Sequence, residues 1–137
     1  KSISLKQYAE HNNLEEYILF LGKINYPEKL LPYTDLLIKP SRENNPWGRD
    51  ILESMSQGKP VIAIGKYNKF VETDVTGLLL DKFDTKLISD WLIKVLLNRD
   101  LLSTYGNNAK YRVNKYCDAN NSAKELEIFW LKLKNLN

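Results

Sequence analysis

Between Arg42 and Gly65 the chain reads RENNPWGRDILESMSQGKPVIAIG, and most of its chemistry-bearing residues fall there. Asn45, Pro46, Trp47 and Gly48 stand directly before an apolar run with helical spacing; Arg49, Asp50 and Glu53 lie in its first turn and a half. If residues 48–57 form a helix, the amides of Gly48, Arg49, Asp50 and Ile51 are its free N–H groups. Together with the helix dipole they suit an anion such as a phosphate. Gly48 has no Cβ, which lets a ligand approach the backbone. Trp47 offers a wall for a sugar or a base, with a core anchor under the loop as the equal alternative. Glu53 projects from the second turn, where one carboxylate can accept two hydroxyl hydrogen bonds, as the vicinal diol of a ribose requires. A helical glutamate read by itself is more often a solvated surface group. Lys66 opens the polar loop Lys66–Lys69, on the ligand side of an open sheet, and is the loop's candidate for contact with a base or diphosphate.

Other chemistries have little material. One histidine, His11, gives no His-based catalysis or His-rich metal site, and the acidic residues lack metal-ligand spacing, so neither metal nor cofactor is expected. The single cysteine, Cys117, excludes an internal disulfide, fits a reducing, cytoplasmic setting, and reads as a buried or half-buried helix residue. The formal charge of +3 is too balanced for a nucleic-acid partner. No apolar run approaches the ~20 residues of a membrane span. The opening KSISLKQYAE has no apolar signal region and no initiator Met, as expected of a piece cut from something longer.

The elements that must position these residues follow from periodicity. Residues 2–12 make a short polar helix with Ile3, Leu5 and Tyr8 at loose helical spacing. EYILFLG, 16–22, reads as a buried strand; PEKLLPY, 27–33, as a helical turn begun by Pro27 and limited by Pro32. Strands are expected at 35–40, 60–65 and 76–80, short and without alternation. Helices follow at 84–99, with Asp84 as N-cap, and then in two further runs to the C-terminus. Trp91 and Trp130 read as core. Unalternating strands separated by helices indicate an α/β, doubly wound, Rossmann-like parallel sheet with a helical tail, all in one domain.

The run LLIKPSRENNPWGRDILESMSQGKPVIAIG, continued by KFVETDVTGLLL, resembles the donor-binding C-terminal half of retaining GT-B glycosyltransferases of the GT4 family. There a strand ends in Pro-Ser, followed by Glu-Pro-Phe-Gly, an apolar helix with Glu-Ala, Gly-Lys-Pro-Val and a last Thr-Gly turn. The match covers about Leu14 to Leu80, with several blocks in order. It implies a nucleoside diphosphate sugar as donor, transfer of a hexosyl group to a hydroxyl acceptor, and a ribose-binding role for Glu53. Pro46, Trp47 and Gly48 would face sugar and phosphate. The family's first glutamate falls on Asn45, which can bond a hydroxyl but cannot stabilise positive charge. Arg49 and Asp50 replace apolar residues, and Lys69 replaces a further glutamate.

The resemblance also implies what lies outside this sequence: the phosphate-binding basic pair, the acceptor-binding N-terminal domain and two central strands. The 16–22 strand would then either pair with 35–39 or leave an edge for another chain or a second copy. The basic tip WLKLKNLN would pack on the missing domain, with membrane contact as the lesser alternative. The isolated chain should not turn over substrate. A degenerate, non-catalytic interaction module is the rival reading, and a flavodoxin-type phosphate-binding regulator the third.

Overall fold

The computed structural model describes residues 4–134. A short helix α1 (Leu5–His11) starts from Ser4, whose hydroxyl accepts the Gln7 amide while Gln7 returns a bond to the Ser4 amide. Ile3 lies outside the described residues. Pro27–Lys29 and Leu31–Tyr33 are single 3-10 turns rather than one helix, because Pro32 brings no N–H to continue it. Three strands follow with their helices: β1 (Leu37–Lys39), α2 (Arg49–Ser56), β2 (Val61–Ile64), β3 (Gly77–Leu80), then α3 (Thr85–Leu97), α4 (Asp100–Tyr116) and α5 (Ala119–Lys134). Asp84 caps α3 by accepting the Leu87 amide at 3.0 Å.

The strands are parallel in the order β1-β2-β3, with Leu37 opposite Val61 and Val61 opposite Gly77. Successive side chains of β2 go to opposite faces. Val61 and Ala63 join Ile51 and Met55 of α2 and Ala109 and Val113 of α4 on one side. Ile62 joins Leu78, Trp91 and Val95 on the other, with Tyr105 of α4. Both faces are covered, which is why these strands are apolar without alternation. The doubly wound α/β expectation holds.

Three expectations fail. Residues 16–22 form no strand. Tyr17, Leu19 and Leu21 are exposed, and among the described residues the segment pairs with no strand. β1 is therefore an edge, and the 16–22 segment does not pair with it. Trp130 is 63% exposed on α5, which buries no residue, so only Trp91 is core. Cys117 is exposed at the C-cap of α4, where the chain turns before α5. Among the described residues no helix is long and apolar enough to cross a membrane.

Two polar features of the core carry predictions. Ser54 is fully buried on α2 and its hydroxyl has no partner among the described residues. An unpaired buried hydroxyl costs about 1–3 kcal/mol. Ser54→Ala should therefore raise the midpoint of urea unfolding, by roughly 1 kcal/mol of stability, with an unchanged m-value.

Asp74, at φ 58° in the turn before β3, gathers three donors on Oδ1: Lys94 Nζ at 2.8 Å, Trp91 Nε1 at 3.1 Å and the Tyr105 hydroxyl at 3.2 Å. The Lys94 bond foremost, then Trp91 and Tyr105, holds its carboxyl below the usual range against partial desolvation. A native value below the unfolded one means stabilisation that is full above the unfolded pKa of ~3.9 and is lost as pH falls through the native pKa. Wild type should melt above Asp74→Asn at neutral pH, with the gap closing below about pH 4 in a pH-resolved melting series.

Candidate functional site

The loop between β1 and α2 lies over the carboxyl ends of β1 and β2, and specific bonds fix it there. The Asn45 amide donates to the Ile64 carbonyl at 3.1 Å, and Asn44 Oδ1 accepts the Lys66 amide at 3.0 Å. Pro46 is buried against Gly65. These contacts place Asn45, Pro46, Trp47, Gly48 and Lys66 along one edge of the sheet, where helix N-termini and ligands meet in open α/β folds. The Lys66 ammonium makes no hydrogen bond or ion pair among the described residues.

α2 begins at Arg49 with Gly48 as N-cap and no side-chain cap. No described hydrogen bond is donated by the amides of Gly48, Arg49, Asp50 or Ile51. The helix end is thus free to donate, as anion binding requires. The space beside Gly48 holds side chains of the protein itself. A Cβ there would lie 2.4 Å from Asp50 Oδ1 and 2.7 Å from Lys39 Nζ. The missing side chain makes room for an ion pair of the chain itself.

Lys39 is the residue that the sequence reading passed over. Its Nζ donates to the Trp47 carbonyl at 2.9 Å and to Asp50 Oδ1 at 3.1 Å, clamping the loop to the helix. The side chain is only 20% exposed. Its signal in the sequence was its place as the last residue of a strand, at the carboxyl edge.

Glu53 sits one turn into α2 with its Oε1 3.1 Å from Arg49 Nε. Arg49 is almost fully exposed, so this pair adds little stability. The Glu53 side chain lines a small cavity of about 110 Å³ together with Asp50, Leu37 and the Pro27–Leu31 turns. Asp50 lines this cavity and also pairs with Lys39 at the helix mouth. Trp47 is half-exposed and stands against buried Phe70, ring centroids 4.8 Å apart, with Tyr67 edge-on at 6.2 Å. One side of Trp47 anchors the loop on Phe70, and the rest is open to solvent. Among the described residues no group of three or more His, Cys, Asp or Glu side chains is placed to hold a metal ion.

The chain as a whole has relatives of known family and fold. Residues 2–112 match the family model described as glycosyl transferases group 1. Over 112 residues, 80% of its length, the chain is 30% identical to N-acetyl-alpha-D-glucosaminyl L-malate synthase of Bacillus anthracis, and it spans 29% of that protein. Among solved structures, HepE of Anabaena in complex with UDP superposes with a TM-score of 0.78 at 26% identity, covering 90% of this chain and 35% of HepE. Sucrose-phosphate synthase of Thermosynechococcus elongatus shares the fold, with a TM-score of 0.81 at 24% identity over 97% of this chain and 34% of the synthase. The chain spans about a third of the length of each of these proteins. It belongs to the glycosyl transferases group 1 family, with the Rossmann-like fold of part of a GT-B C-terminal domain.

Proposed function

We propose that this chain binds the nucleoside diphosphate sugar of a retaining glycosyltransferase that moves a hexosyl group to a hydroxyl acceptor. The observation that carries the reading is the mouth of α2: first-turn amides without protein acceptors, at the carboxyl edge of a parallel sheet, beside the Lys39 ammonium. As the bond from sugar to diphosphate breaks, negative charge grows on the departing phosphate oxygens. Fixed N–H dipoles aimed there stabilise that charge without reorganising. Lys39 adds a cation once a phosphate competes with Asp50 for it. Glu53 accepts the ribose hydroxyls, exchanging its exposed partner Arg49 for them, and Trp47 walls the sugar. HepE was crystallised with UDP and with UDP-glucose, which supports a uridine nucleotide as the first donor to try. The acceptor and the remaining phosphate-binding basic residues are proposed to come from the rest of the enzyme.

Asn45 favours a second reading. It is exposed at the loop tip, and its amide is neutral where the resembling family carries a carboxylate. A non-catalytic module for protein interaction would keep the fold and lose donor binding. Calorimetry separates the two. UDP should bind the chain, and Glu53→Gln should weaken it by about tenfold, the worth of one or two hydroxyl hydrogen bonds to a charged group. No heat from UDP at millimolar concentration, in a chain that melts cooperatively, would favour the module.

A further inference from the structure

We propose that the corner between the β2–β3 loop and the α4–α5 turn is a second binding site, for a sugar that carries a phosphate or carboxylate. It is a cavity of about 360 Å³, within the usual range of small-molecule sites. Three lysines line it: Lys69 from the loop, Lys115 from the end of α4 and Lys124 from α5. None has a carboxylate within ion-pair distance among the described residues. Lys69 and Lys115 both hold their ammonium groups over the ring of Tyr116, 5.1 and 5.4 Å from its centroid. Ring faces attract cations, but two cations at one ring repel each other. An anion bound in the corner would be attracted to both and offset that repulsion.

The acids of the cavity do not supply this anion. Asp118 Oδ1 is engaged with the amides of Asn120 and Asn121 at 2.7 and 3.0 Å, capping the start of α5. Glu125 is the other carboxylate, so cations exceed acids by three to two. The remaining polar lining, Asn121 and Ser122, offers donors and acceptors for hydroxyls. The Tyr116 ring beside the two ammonium groups adds apolar surface to the corner. Cations alone would suit any free anion; cations with an amide, a hydroxyl and a ring suit an anionic carbohydrate. The ring centroids of Tyr116 and Phe70 are 6.2 Å apart and those of Phe70 and Trp47 4.8 Å, so the corner neighbours the mouth of α2 without sharing its residues. The cavity and its ligand class stand without the glycosyl-transfer reading.

The test is an amide-resolved NMR titration of the chain with glucose 6-phosphate, glucuronate, glucose, inorganic phosphate and UDP, each in a separate arm. Glucose 6-phosphate or glucuronate should shift the amides of Lys69, Asn121 and Ser122, binding about tenfold tighter than glucose or phosphate alone. Which of the two binds tells phosphate from carboxylate. Lys69→Gln and Lys115→Gln should each weaken the effect several-fold while leaving the rest of the spectrum in place. The proposal falls if neither anionic sugar shifts these amides by about 10 mM, or if free phosphate binds equally well. It falls also if UDP shifts these amides, since the corner is then donor site. UDP shifts at Arg49–Glu53 report separately on the proposed donor site.

Discussion

Gly77→Ala is expected to abolish cooperative folding. Gly77 pairs with Val61 at the start of β3, at φ 150°, a backbone region side chains rarely enter. A Cβ at this position would stand 1.9 Å from the Val61 carbonyl oxygen and 2.7 Å from its nitrogen. Those are atoms of the central strand, itself fully buried, and neither can swing aside as a flexible side chain can. Relief requires β3 to leave β2, which opens both apolar clusters at once. Overpacking and φ strain each cost about 1–3 kcal/mol, and loss of a sheet edge costs more, against a total stability of about 5–15 kcal/mol. Far-ultraviolet circular dichroism with heating should show no sigmoidal transition. A melting point within a few degrees of wild type would mean that β3 does not pair here.

Gly65→Ala should leave a folded chain whose nucleotide affinity is largely gone. Gly65 follows β2 at φ 146°, and its amide donates to the Leu80 carbonyl at 2.7 Å. A Cβ would lie 2.4 Å from Asn44 Oδ1 and from Pro46 Cδ. Asn44 can rotate; the Pro46 ring cannot, and it carries the backbone into Trp47 and Gly48. The loop must lift from the strand end, breaking the Asn44–Lys66 and Asn45–Ile64 bonds. Lys39 then loses the Trp47 carbonyl, and the mouth of α2 is no longer held against the sheet. A misplacement of this kind is worth about a hundredfold in a preorganised site. Calorimetry with UDP should show that loss, and a melting point lowered but still cooperative should accompany it. Unchanged affinity would show that the loop has no part in the site.

How much of this was legible in the sequence depends on whether the deciding partner lay nearby in the chain. β2 and the α2 start were readable because a buried apolar run and a Gly-led helix announce themselves locally. Asp84 was readable as a cap for the same reason. The 16–22 run failed because a strand is made by its neighbour, and apolar composition alone does not supply one. Trp130 has the spacing of a core residue, but burial requires a surface to bury against, and α5 has none among the described residues. In the site, Asn45 to Asp50 lie close in sequence and were found together. Lys39 was missed because its role depends on contacts eight and eleven residues away. The ion pair beside Gly48 was hidden for the same reason: the atoms nearest its missing side chain belong to Lys39 and Asp50.

The central claim is that the open end of α2 receives a diphosphate while Glu53 receives the attached ribose. The most direct measurement is an NMR titration of the chain with UDP, following the backbone amides of Gly48 to Glu53. Saturable shifts centred on Gly48–Ile51, retained with inorganic pyrophosphate but lost at Glu53 in that control, are the predicted result. Shifts that avoid the α2 mouth, or a spectrum that UDP leaves unchanged at millimolar concentration, would contradict it.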